Sequence, residues 1–218
     1  MSPANPLSDA AFHDPTNTSP RPTPQIPTRA GLFSIYSNAH IAAPPALVYA
    51  TLLDVQNWHL WSTFIYDVTI TSHPHPHIKH SDLKMVEGTN MVFNVQMSEG
   101  VKTTSKETCS HVEPLKLRRD HGDKAVTRVR WNLHNAAIST PRFLIKAERV
   151  NEIQEAEDGG TEYRTWQTFG GWGAGVVRRK YGGVLGERFG DWTRELKVYC
   201  EGVHLNGGGE AGVGAAPS

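Results

Sequence analysis

From Val177 to Tyr199 the chain places Val177, Tyr181, Leu185, Phe189, Trp192, Leu196 and Tyr199 at steps of four, four, four, three, four and three. On an α-helix those steps draw one continuous apolar stripe along a single side. The spacing predicts a helix from about Ala174 to His204, roughly 45 Å long. A stripe of that length must be covered by a comparably broad apolar surface supplied by the rest of the chain. Beside it runs a second row, Gly182, Gly186 and Gly190. Each interior glycine costs a helix about 1 kcal/mol relative to alanine. The row therefore predicts either a sheet backbone in very close approach or space left for a ligand.

The covering surface is legible upstream as period-two patterning. Met91, Phe93, Val95 and Met97 alternate with Asn94, Gln96 and Ser98, the pattern of a half-buried antiparallel strand. Further strands are predicted over Phe33 to Ile41, Phe64 to Thr71, Thr103 to Val112, Val126 to His134, Phe143 to Gln154 and Thr161 to Phe169. Asp158, Gly159 and Gly160 mark a turn between the last two. Short connections favour hairpins over crossover helices, so the sheet is expected to be antiparallel. After the first strand, Pro44 and Pro45 open a short helix over Ala46 to Leu53, where a missing N–H costs nothing. A second short helical piece, Asp54 to Ser62, holds Trp58 and Trp61. The expected fold class is α+β: a curved antiparallel sheet of about six to seven strands around the C-terminal helix, with two short helices after the first strand.

Composition sets the boundaries. Met1 to Ala30 is rich in Pro, Thr, Ser and Asn, and Leu205 to Ser218 is mostly Gly and Ala. Both stretches are expected to be disordered, because neither buries enough apolar surface to offset the entropy of ordering it. One domain over residues 31–204 remains. Lys plus Arg number 22 and Asp plus Glu 22, which argues against a general nucleic-acid binder. No apolar run approaches the roughly 20 residues of a membrane span. With no secretory or transit pattern at the start and two cysteines, Cys109 and Cys200, the expected location is the cytoplasm.

The segment Ile41-Ala-Ala-Pro-Pro-Ala-Leu-Val-Tyr-Ala-Thr-Leu-Leu-Asp-Val-Gln-Asn-Trp-His-Leu-Trp61 resembles the N-terminal signature of the START-like, or polyketide cyclase, superfamily. Gly160-Thr-Glu-Tyr163, Phe169-Gly-Gly171 and Leu196-Lys197 through Glu201 look like the same superfamily's last strand and helix. The similarity spans roughly Phe33 to Glu201. It implies a helix-grip fold enclosing a pocket for an apolar small molecule. It does not specify a reaction, since the fold hosts lipid carriers, hormone receptors, aromatase/cyclases and ubiquinone-binding proteins, and function must be argued from the site.

The rings expected to wall such a pocket are Trp58, Trp61, Phe93, Trp131, Tyr163, Trp166, Tyr181 and Trp192, with Val95 and Leu185. Each also suits an ordinary core. Glu107, Cys109 and His111 alternate along one predicted strand, so a straight strand points all three the same way. If that face is inward, Glu107 and His111 are candidate proton-transfer groups; otherwise they flank the cavity mouth around a core Cys109. A Cys–His nucleophile lacks a third orienting group. Among the late-strand residues Arg130, Arg142, Glu148 and Arg149, the last shares parity with Phe143, Ile145 and Ala147. Arg149 is the candidate to hold a carboxylate or enolate oxygen. His73, His75, His77 and His80 alternate in part with prolines and read as a solvated loop rather than a metal site. Gly170 to Gly175 lacks phosphate-loop spacing and reads as a turn. The expectation is a polyketide cyclase or related biosynthetic enzyme without cofactor or metal. The alternatives are a carrier or sensor of a lipid, quinone or similar molecule, and an adaptor with a filled core. Oligomeric state has no signature in the sequence.

Overall fold

The computed structural model describes residues 10–14, 16–120, 125–134 and 144–209. A four-residue helix, α1 (Ala10–His13), precedes strand β1 (Gly31–Ile41), helix α2 (Pro45–Leu53) and a 3-10 helix (Val55–Leu60). Then follow β2 (Ile65–Ser72), β3 (Asn90–Ser98), β4 (Val101–Val112), β5 (Val126–Leu133), β6 (Lys146–Glu155) and β7 (Thr161–Gly170). Helix α3 (Ala174–Gly209) closes the described chain, running past the expected end at His204. Arg142 and Phe143, and the tail beyond Gly209, lie outside the described residues.

All seven strands join one sheet in the order β1-β7-β6-β5-β4-β3-β2, and every neighbouring pair is antiparallel. The sheet curves around α3, whose stripe is most deeply buried in its middle: Phe189, Trp192 and Leu196 are fully covered. This is the helix grip that the stripe and the period-two strands predict. A cluster of rings locks the first helices onto it. Trp58 lies 4.8 Å from the Trp192 ring, 5.4 Å from Phe93 and 5.7 Å from Trp131. Aromatic pairs of this kind add about 0.5–1.5 kcal/mol each beyond simple burial.

Residues 16–30, expected to be disordered, instead cross the outer face of the sheet. Phe12 and Ile26 are buried there. The Phe12 ring meets Tyr36 and Trp166 edge-on, and Arg21 stacks over both Phe12 and Trp166. Gln25 N donates to the buried carboxylate of Glu148 at 2.9 Å. A proline-rich segment has less conformational freedom to lose, so a few anchors suffice where composition alone predicts disorder.

The glycine row has neither expected cause. A Cβ at Gly186 or Gly190 would meet nothing within 4 Å, and one at Gly182 only the Arg178 side chain at 3.8 Å. None of the three lines the cavity described below. Gly170 and Gly171 are different. A Cβ on Gly170 would sit 2.4 Å from the Ala30 carbonyl oxygen, and Gly171 takes φ 89° in the turn into α3. Gly186→Ala is therefore expected to stabilise the protein by roughly 0.5–1 kcal/mol, and Gly170→Ala to lower its melting temperature. Thermal unfolding of the two variants beside the parent protein checks both signs.

Candidate functional site

Between the concave face of the sheet and the first turns of α3 lies a cavity of about 280 Å³. Phe93, Val95 and Met97 of β3, Trp131 and Leu133 of β5 and Phe169 of β7 wall one side; Val177, Tyr181 and Leu185 of α3 wall the other. Into this apolar space five inward positions bring polar groups: Thr103, Ser105 and Glu107 of β4, Arg149 of β6 and Gln167 of β7. Ser105 and Gln167 were not anticipated, yet strand parity marks both, since Ser105 alternates with Glu107 and Gln167 with Phe169.

Arg149 is almost completely buried. Its Nε donates to Thr165 Oγ1 at 3.1 Å, and its guanidinium lies 4.2 Å from the Phe189 ring centre, 4.4 Å from Trp192 and 5.4 Å from Trp131. Ring faces thus replace part of the lost hydration of the cation. Burial still pushes its pKa down to about 10, leaving it charged at neutral pH. Behind it, Trp192 Nε1 donates to the Tyr163 hydroxyl at 2.9 Å, which donates to Asn151 Oδ1 at 2.7 Å. These bonds fix the rings that hold the guanidinium.

Glu107 faces the same space and is only 5% exposed. The Ser105 hydroxyl donates to its Oε1. Burial raises its pKa from 4.5 to about 7, against the opposing pull of the Ser105 hydrogen bond and the Arg149 charge. Two polar atoms in this pair have no hydrogen-bond partner among the described residues: Glu107 Oε2 and Arg149 Nη2. Leaving a buried polar atom unpaired costs about 1–3 kcal/mol, more for a charged group. A guest that accepts from Nη2 and donates to, or accepts from, the Glu107 carboxyl recovers that cost. The arrangement combines an acid–base group near neutrality with a fixed cation, inside apolar walls.

The other expected site residues lie elsewhere. His111 is not brought to the cavity. The β4–β5 register shifts between Cys109 and His111, and such a bulge re-aims the side chains beyond it. The His111 ring instead meets Glu87 at 3.2 Å and Glu113 at 3.7 Å at the surface. Trp166 lies on the outer face with Val150 and Phe12, because it stands three residues from the inward Tyr163 on the same strand. Trp58, Tyr163 and Trp192 belong to the core around the cavity rather than to its lining. Trp61 lines a separate groove of about 420 Å³ between α2 and the C-terminal half of α3. That groove is larger, but its charged groups, Lys84 and Asp54, satisfy each other at 2.7 Å. Among the described residues no group of three or more His, Cys, Asp or Glu is placed to hold a metal ion. In the histidine loop His75 is exposed and His73 half-buried, their ring centres 5.6 Å apart.

Comparison with solved structures places this architecture. A START superfamily protein from Mycobacterium smegmatis superposes with a TM-score of 0.52 at 11% identity, over 78% of this chain and 98% of that one. The fold is START-like. The Zhui aromatase/cyclase from Streptomyces sp. R1128 shares this START-like fold with a TM-score of 0.54 at 12% identity, over 78% and 94% of the two chains. In sequence, the chain is 29% identical over 173 residues to oxopyrrolidines biosynthesis cluster protein O of Penicillium oxalicum, covering 72% of this chain and 80% of that protein. No model of a known protein family matches the chain.

The raised pKa of Glu107 ties stability to pH with a definite sign. Between about pH 4.5 and about pH 7 the folded protein keeps a proton that the unfolded chain has released. Stability from this group is therefore full at the acid end, falls as pH rises through that window, and is level above it. The loss is on the order of 3 kcal/mol. Glu107→Gln is expected to remove this decline, and denaturant unfolding of both proteins at several pH values measures it as their difference.

Proposed function

We propose that this protein is a cofactor-independent enzyme of a biosynthetic pathway that folds an apolar, carbonyl-bearing chain in its START-like cavity and closes a ring in it. The observation that carries this reading is the Glu107–Arg149 pair in the apolar cavity, with one atom of each group unpartnered among the described residues. The relative named for an oxopyrrolidine biosynthesis cluster and the shared fold of an aromatase/cyclase support it.

The chemistry follows from the two groups. Ionised Glu107 takes a proton from a carbon activated by an adjacent carbonyl. Arg149 Nη2 hydrogen-bonds the oxygen on which the enolate charge develops, within a site that excludes water. The carbanion attacks a second carbonyl of the same chain. The carboxyl then returns its proton to the resulting alkoxide, so the ring-closing step is an isomerisation and consumes no co-reactant. Positioning supplies much of the rate, because the walls hold the two reacting carbons together. A pKa near neutrality suits a group that must both take and give a proton. A carrier of an apolar molecule is the second reading, favoured by the predominance of apolar lining.

Native mass spectrometry of protein from its own host, followed by incubation of any released ligand with fresh protein, separates the two. The enzyme reading predicts conversion of the ligand, about 10²- to 10⁴-fold slower with Glu107→Gln and about 10²- to 10³-fold slower with Arg149→Gln, while the ligand mass stays bound. Its rate rises with pH through about 7 as Glu107 ionises, and Ser105→Ala moves that limb to higher pH by removing a hydrogen bond to the carboxylate. A ligand returned unchanged by the parent protein means a carrier.

A further inference from the structure

The antiparallel order brings the start of β1, β2, β4, β6 and α3 and the end of β3, β5 and β7 to one end of the sheet. Phe64, Met97, Thr103, Leu133, Ile145, Phe169 and Val177 line the cavity from this end, so its rim is the mouth. The rim exposes large apolar side chains that a water-facing edge does not need. Trp172 is 85% exposed, Val176 56%, Val101 46%, Leu32 44% and Leu144 38%. The segments that carry Leu144, Trp172, Val176 and Leu32 adjoin: Gly173 N donates to the Leu144 carbonyl at 2.7 Å, and a Cβ on Gly175 would touch Leu32 at 3.7 Å.

The same rim is basic in a chain whose formal charge is zero. Arg178, Arg179 and Lys180 stand exposed in the first two turns of α3, and Arg29 and Lys102 are exposed at the starts of β1 and β4. Against them stands Glu99 in the β3–β4 hairpin. Arg178 bonds Thr18 at 3.3 Å, while Lys180 and Lys102 lie over Tyr181 and Tyr66. These are contacts at solvent-exposed heads, which leave the charge facing outward. No acidic residue occupies the first turn of α3, so the positive end of the helix dipole adds to the field.

We infer that the cavity mouth docks on an anionic lipid bilayer, with Trp172, Val176 and their apolar neighbours entering the headgroup region and the basic residues pairing with lipid phosphates and carboxylates. An exposed indole beside aliphatic side chains and a polybasic segment is the combination that interfacial binding requires. Each basic residue near such a surface contributes about 1 kcal/mol. An apolar guest would then pass between bilayer and cavity without crossing water. Docking is independent of the chemistry at Glu107.

Co-sedimentation of the full chain with vesicles tests this, using phosphatidylcholine alone and phosphatidylcholine doped with phosphatidylserine, at low and high salt. The parent protein is expected to sediment with the anionic vesicles at low salt and to be released at high salt. The triple variant Arg178→Glu, Arg179→Glu, Lys180→Glu is expected to lose at least about 100-fold in partitioning. Trp172→Ser loses about tenfold from lost apolar burial. Thermal melts confirm that both variants are folded. Failure to sediment with anionic vesicles, equal sedimentation with neutral ones, or binding that neither variant weakens would overturn the inference. The first of these outcomes would redirect the basic rim to an acidic protein partner.

Discussion

Everything in this molecule is organised by the need to cover one side of α3. Its stripe is too long for a small core, so seven strands must bend around it, and a sheet that bends around a cylinder does not touch it equally everywhere. In the middle the contact is complete, with Phe189, Trp192 and Leu196 fully buried. Toward the N-terminal turns the residues on the stripe are Val177, Tyr181 and Leu185, and here the sheet stands away to leave the cavity. Cavity and core are thus two ends of one interface.

At the boundary between them sits Arg149. Burying an unpaired guanidinium is costly, and the structure offsets that cost without a direct ion pair: three ring faces, Thr165 Oγ1, the Tyr163 hydroxyl and the field of Glu107 share the charge. The same arrangement keeps Glu107 from settling as either a plain acid or a plain base. Desolvation favours its neutral form and Arg149 favours its ionised form, with desolvation the larger effect. A site with this balance is tuned by any guest that moves water or charge near it, which is how perturbed acid–base groups come to mark functional sites.

The sequence made the fold legible because its two periods, 3.6 in α3 and two in β3 to β7, are physical consequences of burial on one side. Arg149 was legible for the same reason, sharing parity with Ile145 and Ala147, whereas Glu107 has only Cys109 as an adjacent apolar residue on its face, so the pattern left that face open. His111 was not, because the bulge beyond Cys109 is set by pairing with β5 and leaves no local signature. Trp166 and Tyr163 could never share a face, and aromatic character alone obscured that. The N-terminal segment was misread because average composition hides two well-placed anchors, Phe12 and Ile26. The glycine row of α3 has no contact in the fold to explain it.

The central claim is that Glu107 is a buried carboxyl poised near neutrality beside a fixed cation. Its most direct test is a titration of the Glu107 side-chain carboxyl by carbon-13 NMR, with Glu107→Gln used to assign the resonance. The account predicts a midpoint at about 7, displaced upward in Arg149→Gln because the neighbouring positive charge is gone. A midpoint near 4.5, the ordinary value, would mean that the carboxylate is well solvated, and the proposed acid–base role would fail with it.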